Sequence, residues 1–169
     1  MANYNPSTIA RIGDLLNGIR VSTGALAAET YIHQNQSELF NVYGRIKIHE
    51  LFAEVTEAIS NNAATVLYNF TSTTPSISVQ PLCAACASVA QLAVGERIAW
   101  LGGAVATAAV ITATPGITDV ARSSQIVGTD GGVATIGMLS GSADCTDGTV
   151  KVTICYTPLS DGAYVTAIV

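Results

Sequence analysis

Ionic side chains are scarce in this chain. Only 7 Lys and Arg and 12 Asp and Glu occur among its 169 residues, a charged fraction of 11%, against roughly 25% in an ordinary soluble domain. A free monomer of this size normally coats itself with such groups, because bare apolar patches associate. The shortage leaves two options: Ser, Thr, Asn and Gln wet the exterior, or neighbours cover part of it. The second is the working expectation.

Other absences narrow the function. Basic residues are scattered singly, apart from Arg45 and Lys47, and the net charge is -5; a nucleic-acid grip needs clustered cations to displace counterions. The opening MANYNPSTIARIG lacks the basic run and apolar core of a secretory signal, so manufacture in a cytoplasm is expected. Thiols there stay reduced, and no disulfide frame is expected of the four cysteines. Residues 98–118 carry no charge. They are interrupted by Gly102–Gly103 and Pro115–Gly116 and are short of apolar length for a bilayer, which favours buried or interfacial strands over a membrane span.

Catalytic signatures are missing too. No G-x-S-x-G occurs, and neither His33 nor His49 has a triad context. The glycines, Gly131–Gly132 among them, sit in turns rather than in a phosphate-binding loop before a helix. The one inviting motif is Cys83-Ala-Ala-Cys86. A redox pair of that spacing works at a helix N-terminus, and zinc would need two further ligands. Cys145, Cys155, His33 and His49 show no matching spacing, and on a strand Cys83 and Cys86 would face opposite ways. Buried structural thiols are expected, with no cofactor or metal and no catalytic residue; we read the chain as not an enzyme. A plain hairpin at Asp147–Gly148 would set Cys155 opposite a residue near Ser140, so no Cys145–Cys155 disulfide is suggested.

What is present is β pattern. In residues 39–50, LFNVYGRIKIHE, Phe40, Val42, Ile46 and Ile48 alternate with Asn41, Tyr43, Arg45, Lys47 and His49, and Gly44 is the one gap on the apolar side. A period of two marks a half-buried strand, the clearest in the chain. Residues 51–59 fit a helix (Leu51, Phe52, Val55, Ala58, Ile59) or a continued strand (Phe52, Glu54, Thr56, Ala58), and the choice stays open. As a helix they would carry Glu50, Glu54 and Glu57 as one solvated acidic stripe. Residues 58–95 are wholly uncharged, which suits an interface. Strand-like runs follow at 65–71, 77–79, 97–101, 105–114, 125–127, 133–139, 149–157 and 163–169. In the run 149–157, Val150, Val152, Ile154 and Tyr156 share one side. Turns fall at Asn61–Asn62, Val94–Gly95–Glu96, Thr129–Asp130–Gly131–Gly132, Asp147–Gly148 and Ser160–Asp161–Gly162.

The expected fold is mainly β: an antiparallel sandwich or barrel, jelly-roll-like, in residues 39–169. Residues 1–38 form an N-terminal arm. After Asn5–Pro6 a short helix is expected, with an apolar stripe of Ile9, Ile12, Leu15, Leu16 and Ile19. From 21 to 37 no steady period shows. The arm either tucks onto the domain or reaches a neighbouring subunit.

The runs NVYGRIKIHELFAEVTEAI (41–59) and TVKVTICYTPLSDGAYVTA (149–167), with the Ala/Val/Thr/Gly-rich body between them, resemble small virion proteins of tailed bacteriophages. The two runs cover about a quarter of the chain and carry no defined functional residues. The resemblance implies a capsid decoration (cement) protein, usually a homo-oligomer and often a trimer. Such a protein is made in the host cytoplasm and sits on the outer capsid, where it binds the major capsid protein and stabilises the shell. The candidate contact residues are Ile9, Ile12, Leu15, Leu16 and Ile19 on the arm, Tyr43, Arg45 and Lys47 on the polar strand face, and Trp100. Nucleic acid and membrane are not expected partners. Two alternatives stand beside this reading. One is a tail, fibre or head-spike component; the other is a β-sandwich module binding carbohydrate or small molecules through Trp100 or Tyr68.

Overall fold

β-branched and aromatic side chains that alternate with polar ones suit a pleated, half-buried surface. The computed structural model turns that pattern into two antiparallel sheets packed as a sandwich. The structure describes residues 18–60, 63–73, 76–102, 107–112 and 124–168. In chain order the elements are β1 (Ile19–Ser22), β2 (Leu26–Ala27), a four-residue helix α1 (Ala28–Tyr31), β3 (Ser37–Tyr43), β4 (Ile46–Glu57), β5 (Val66–Thr73), β6 (Ser76–Pro81), β7 (Arg97–Trp100), β8 (Val110–Thr112), β9 (Gln125–Val127), β10 (Val133–Ser140), β11 (Thr149–Pro158) and β12 (Tyr164–Ala167). A seven-stranded sheet runs β1-β11-β4-β7-β8, with β2 also on β11 and β9 on β4. A five-stranded sheet runs β12-β3-β10-β5-β6.

The stretch 39–50 is two strands, not one. β3 belongs to the five-stranded sheet and β4 to the seven-stranded sheet, and the chain changes layer at Gly44. Gly44 sits at φ +73, where a Cβ would press on Ser160 Oγ at 2.7 Å and on the Ala163 methyl at 2.9 Å. Only glycine takes such a backbone shape at so close an approach. Its N–H donates to Gly132 O at 2.9 Å, and the Arg45 N–H donates to Ser160 Oγ at 2.9 Å.

Residues 51–57 settle as strand. β4 runs twelve residues and pairs with β11 from Ile46 to Glu57. The register slips between Cys155 and Tyr156, where Glu50 and Ile48 are their partners and His49 is the extra residue. That bulge moves the buried set from Ile46 and Ile48 to Leu51, Ala53 and Val55, all 1% exposed or less. Alternation in β11 holds as read, with Val150, Val152, Ile154 and Tyr156 all inward. β10 and β11 lie in different sheets, so the turn at Asp147–Gly148 joins layers and closes no hairpin.

Residues 19–38, grouped with the arm on sequence, supply β1, β2, α1 and the start of β3. Ile19 does not extend a helical stripe. Gly18 at φ +79 breaks the backbone, and Ile19 then pairs with Tyr156 as the first residue of an edge strand. Ile9, Ile12, Leu15 and Leu16 lie outside the described residues.

Few aromatics occur, and three of them tie the layers together. Tyr68 reaches from β5 to donate its hydroxyl to Ile98 O at 2.8 Å. Trp100 reaches back from β7, its Nε1–H donating to Leu82 O at 3.0 Å. The Tyr156 hydroxyl accepts the Val165 N–H at 3.1 Å. Each ring spans the gap of about 10 Å between stacked sheets with apolar surface and satisfies a polar group at the far side. Tyr68→Phe keeps the ring and removes one buried hydrogen bond to Ile98 O, which costs about 0.5–1.5 kcal/mol because the carbonyl keeps its ladder partner on β4. Urea unfolding of the variant measures that loss; an unchanged midpoint would show that the bond carries no net stability.

Candidate docking faces

Each sheet has an inner face in the core and an outer face, and the two outer faces differ in chemistry. On the seven-stranded sheet the outward residues of β1, β11, β4 and β7 find one another. Arg20 Nη2 lies 3.4 Å from Glu50 Oε2, and Arg97 Nη2 lies 2.6 Å from Glu54 Oε2. The Arg97 guanidinium also covers the Phe52 ring at 4.8 Å. Hydroxyls pair as well: Ser22 with Thr153 at 2.9 Å, Thr56 with Thr149 at 2.6 Å, and His49 Nε2 with Thr157 Oγ1 at 2.8 Å. Such exposed pairs contribute at most about 1 kcal/mol each. Their significance is that this face already satisfies most of its own polar groups.

The five-stranded sheet presents the reverse. By register Thr166 lies opposite Asn41, Asn41 opposite Thr135, and Thr135 opposite Thr71. These four residues form a row across β12, β3, β10 and β5. Beside it Tyr164 lies opposite Tyr43, and their rings stack at 4.4 Å and 16°. Thr71 is held by Gln36. Among the described residues, the side chains of Asn41, Thr135, Thr166, Tyr43 and Tyr164 make no hydrogen bond, and Tyr164 is 47% exposed. The only ionic group that the strands of this sheet carry is Glu38. At the sheet's margin β6 is exposed along its whole length, including Ile77 and Val79. The charge shortage of the sequence is thus concentrated on one side of the sandwich.

The expected contact residues divide accordingly. Tyr43 lies on the neutral face. Arg45 sits at the layer-crossing turn, 3.5 Å from Asp130 Oδ1. Lys47 is on the outer side of β4, between Thr157 and Ile126. Ile19 packs against the core from the edge. Trp100 is 1% exposed, so its indole offers no surface to a subunit or a sugar. Tyr68 is equally enclosed. Asn41, Thr135, Thr166 and Tyr164 were not singled out on sequence, because only strand register brings them together.

Two constellations resemble chemistry and are wired otherwise. His33 Nε2 lies 3.0 Å from Ser37 Oγ, as in a nucleophilic pair. However, the Asn35 N–H donates to His33 Nδ1 at 3.1 Å, so the neutral ring carries its proton on Nε2, the nitrogen facing the serine. Ser37 in turn donates to Thr30 O at 3.3 Å. The pair links the start of β3 to the end of α1 and activates nothing as it stands.

The second is Cys83-Ala-Ala-Cys86. The segment is not a strand, and both thiols turn toward the margin of β5. Cys86 Sγ accepts the Val66 N–H at 3.1 Å, and Cys83 Sγ accepts the Tyr68 N–H at 3.4 Å. The backbone follows the same margin, with Leu82 N–H on Tyr68 O and Cys86 N–H on Val66 O. All four cysteines are buried thiols. Among the described residues, no three His, Cys, Asp or Glu side chains gather as metal ligands, and no helix is long and apolar enough to cross a membrane.

Burial pushes the Cys83 and Cys86 thiols up and holds Tyr68 well above its ordinary range. A group with a raised folded pKa stabilises fully below its unfolded value and loses that contribution as pH climbs toward the folded one. Stability should therefore fall once pH passes the ordinary thiol value of 9.0. Urea midpoints measured from neutral to alkaline pH test this; a flat profile above that value would contradict it.

No family model, curated protein or solved structure matches the chain.

Proposed function

We propose that this is a non-enzymatic virion protein of the capsid-decoration kind, which binds the outer surface of the major capsid protein's shell as a homo-oligomer and reinforces it. The observation that supports the reading is the inequality of the two outer faces. One is ion-paired and self-satisfied; the other is neutral, with stacked tyrosines and unmet hydroxyl and amide groups. A face of the second kind gains most when another protein covers it. Many copies that each contribute a modest contact of roughly 800 Å² per partner reinforce a lattice multivalently.

The sugar-binding alternative loses Trp100 and Tyr68, which are enclosed in the core. The test is direct. Purified protein is mixed with undecorated shells assembled from a tailed-phage major capsid protein, the product of a neighbouring gene where one is found, then sedimented. Co-sedimentation at a fixed ratio, with a raised disruption temperature of the shell, is expected. Protein left in the supernatant at every concentration would overturn the reading.

A further inference from the structure

We infer that the outer face of the five-stranded sheet, centred on Asn41, Thr135 and Thr166 and flanked by the Tyr43–Tyr164 stack, is the surface by which one copy of this chain packs against another. The inference deepens the assembly reading and rests on it. Three observations select a second copy as the occupant.

The first is charge. Each chain carries a net -5, so two copies repel unless they meet where charge is least. The strands of this sheet bear only Glu38, the second residue of β3, at the end away from the stacked tyrosines. A basic partner would be drawn to the acidic remainder of the surface, and an acidic one would find no cation here.

The second is hydrogen-bond character. The unmet groups are Thr and Tyr hydroxyls and an Asn amide. Each both donates and accepts. Groups of that kind are complementary to their own kind, whereas a carboxylate or ammonium surface requires its opposite. A copy of this chain therefore satisfies them without any further adaptation.

The third is size. β3, β5 and β10 are seven to eight residues long. Five strands about 4.8 Å apart and about 3.4 Å per residue give a patch of at most about 20 by 25 Å, about 500 Å² in projection, the size of the smaller interfaces that bury under about 1,200 Å² in total. The ring stack, at the β12–β3 edge of the patch, supplies an apolar anchor beside the polar row.

The experiment is the mass of the full chain in solution at about 100 μM, well above the micromolar constants of modest interfaces. It is run on the wild type, on Thr135→Arg, and on Ser22→Arg, which places the same charge on the opposite sheet. Circular dichroism and thermal melting establish that each variant folds. Should Thr135→Arg fail to fold, Thr166→Arg at the exposed edge strand replaces it. The expected result is an oligomer for the wild type and Ser22→Arg, and a monomer for Thr135→Arg. An oligomer that persists in Thr135→Arg puts the contact elsewhere and overturns the inference while leaving the assembly reading intact. A wild-type monomer that still sediments with capsid shells has the same meaning; one that does not sinks both. A monomer retarded on a neutral-polysaccharide gel would overturn the inference in favour of a glycan as the occupant.

Discussion

Trp100→Ala is expected to lower the unfolding free energy by about 3–5 kcal/mol, the usual cost of removing a large aromatic from a packed core. The residue is 1% exposed and stands opposite Leu51, itself fully buried, across the β4–β7 pairing. Two losses combine. The indole volume leaves a void in the middle of the sandwich, where neighbouring strands are fixed by their ladders and cannot collapse onto it. Leu82 O also loses its donor, just where residues 82–89 are held to the margin of β5. With total stabilities of about 5–15 kcal/mol, such a loss brings a domain close to unfolding at room temperature. Urea unfolding followed by circular dichroism measures it. The expected signature is a lower midpoint with an unchanged slope, because the surface exposed on unfolding is nearly the same. A loss below about 1 kcal/mol would mean that the ring is dispensable to the contact between layers. Trp100→Phe separates the two contributions: it refills most of the space and leaves only the carbonyl unmet.

The period of two made most of the fold legible, and where it misled, the cause is local. β11 reads off its alternation because it is regular on the side that faces the core. The stretch 39–50 reads as one strand because its alternation survives a change of layer. Phe40 and Val42 point inward from one sheet, Ile46 and Ile48 inward from the other, and both inner faces meet the same core. Gly44 looked like a gap and is the hinge between layers. Residues 51–57 were ambiguous because the bulge at His49 advances the buried set by one position. In a sequence that step of three between Ile48 and Leu51 is indistinguishable from a helical one. Ile19 fitted a helical stripe by spacing alone, and Gly18 cut it off.

The neutral face was legible only as a quantity. A deficit of charge can be counted, but its location depends on which strands become neighbours. Thr166, Asn41, Thr135 and Thr71 are up to 125 positions apart, and register alone aligns them. Trp100 drew notice as the single indole, and nothing in its neighbours said that it pointed inward. The thiol pair was correctly read as buried. Its use as an acceptor for β5 N–H groups required the path of residues 82–89, which no periodicity encodes.

The second large effect is expected at the layer-crossing end of the sandwich, from Gly128→Ala. Gly128 has φ +83, and a Cβ added there would collide with the carbonyl oxygen of Gly44 and lie 3.5 Å from Arg45 Cα. Both obstacles are backbone, and they belong to the turn that carries the chain from β3 to β4, so neither swings aside. The conformational penalty alone is about 1–2 kcal/mol for a side chain in the left-handed region. The collision adds to it, because relief requires the Gly44 turn to move against Ser160 and Ala163, which already crowd it. We expect a total of about 3 kcal/mol or more, a fall in melting temperature of about 6–12 °C for a chain of this length. Gly131→Ala supplies the control. Its φ is +69, in the same turn region, but nothing lies within 4 Å of the added methyl. It carries the conformational penalty without the collision, so the difference between the two variants isolates the close approach of the 128 turn to the 44 turn. Equal losses in both would show that the two turns do not press on each other, and the account of how the chain changes layer at Gly44 would fail with it.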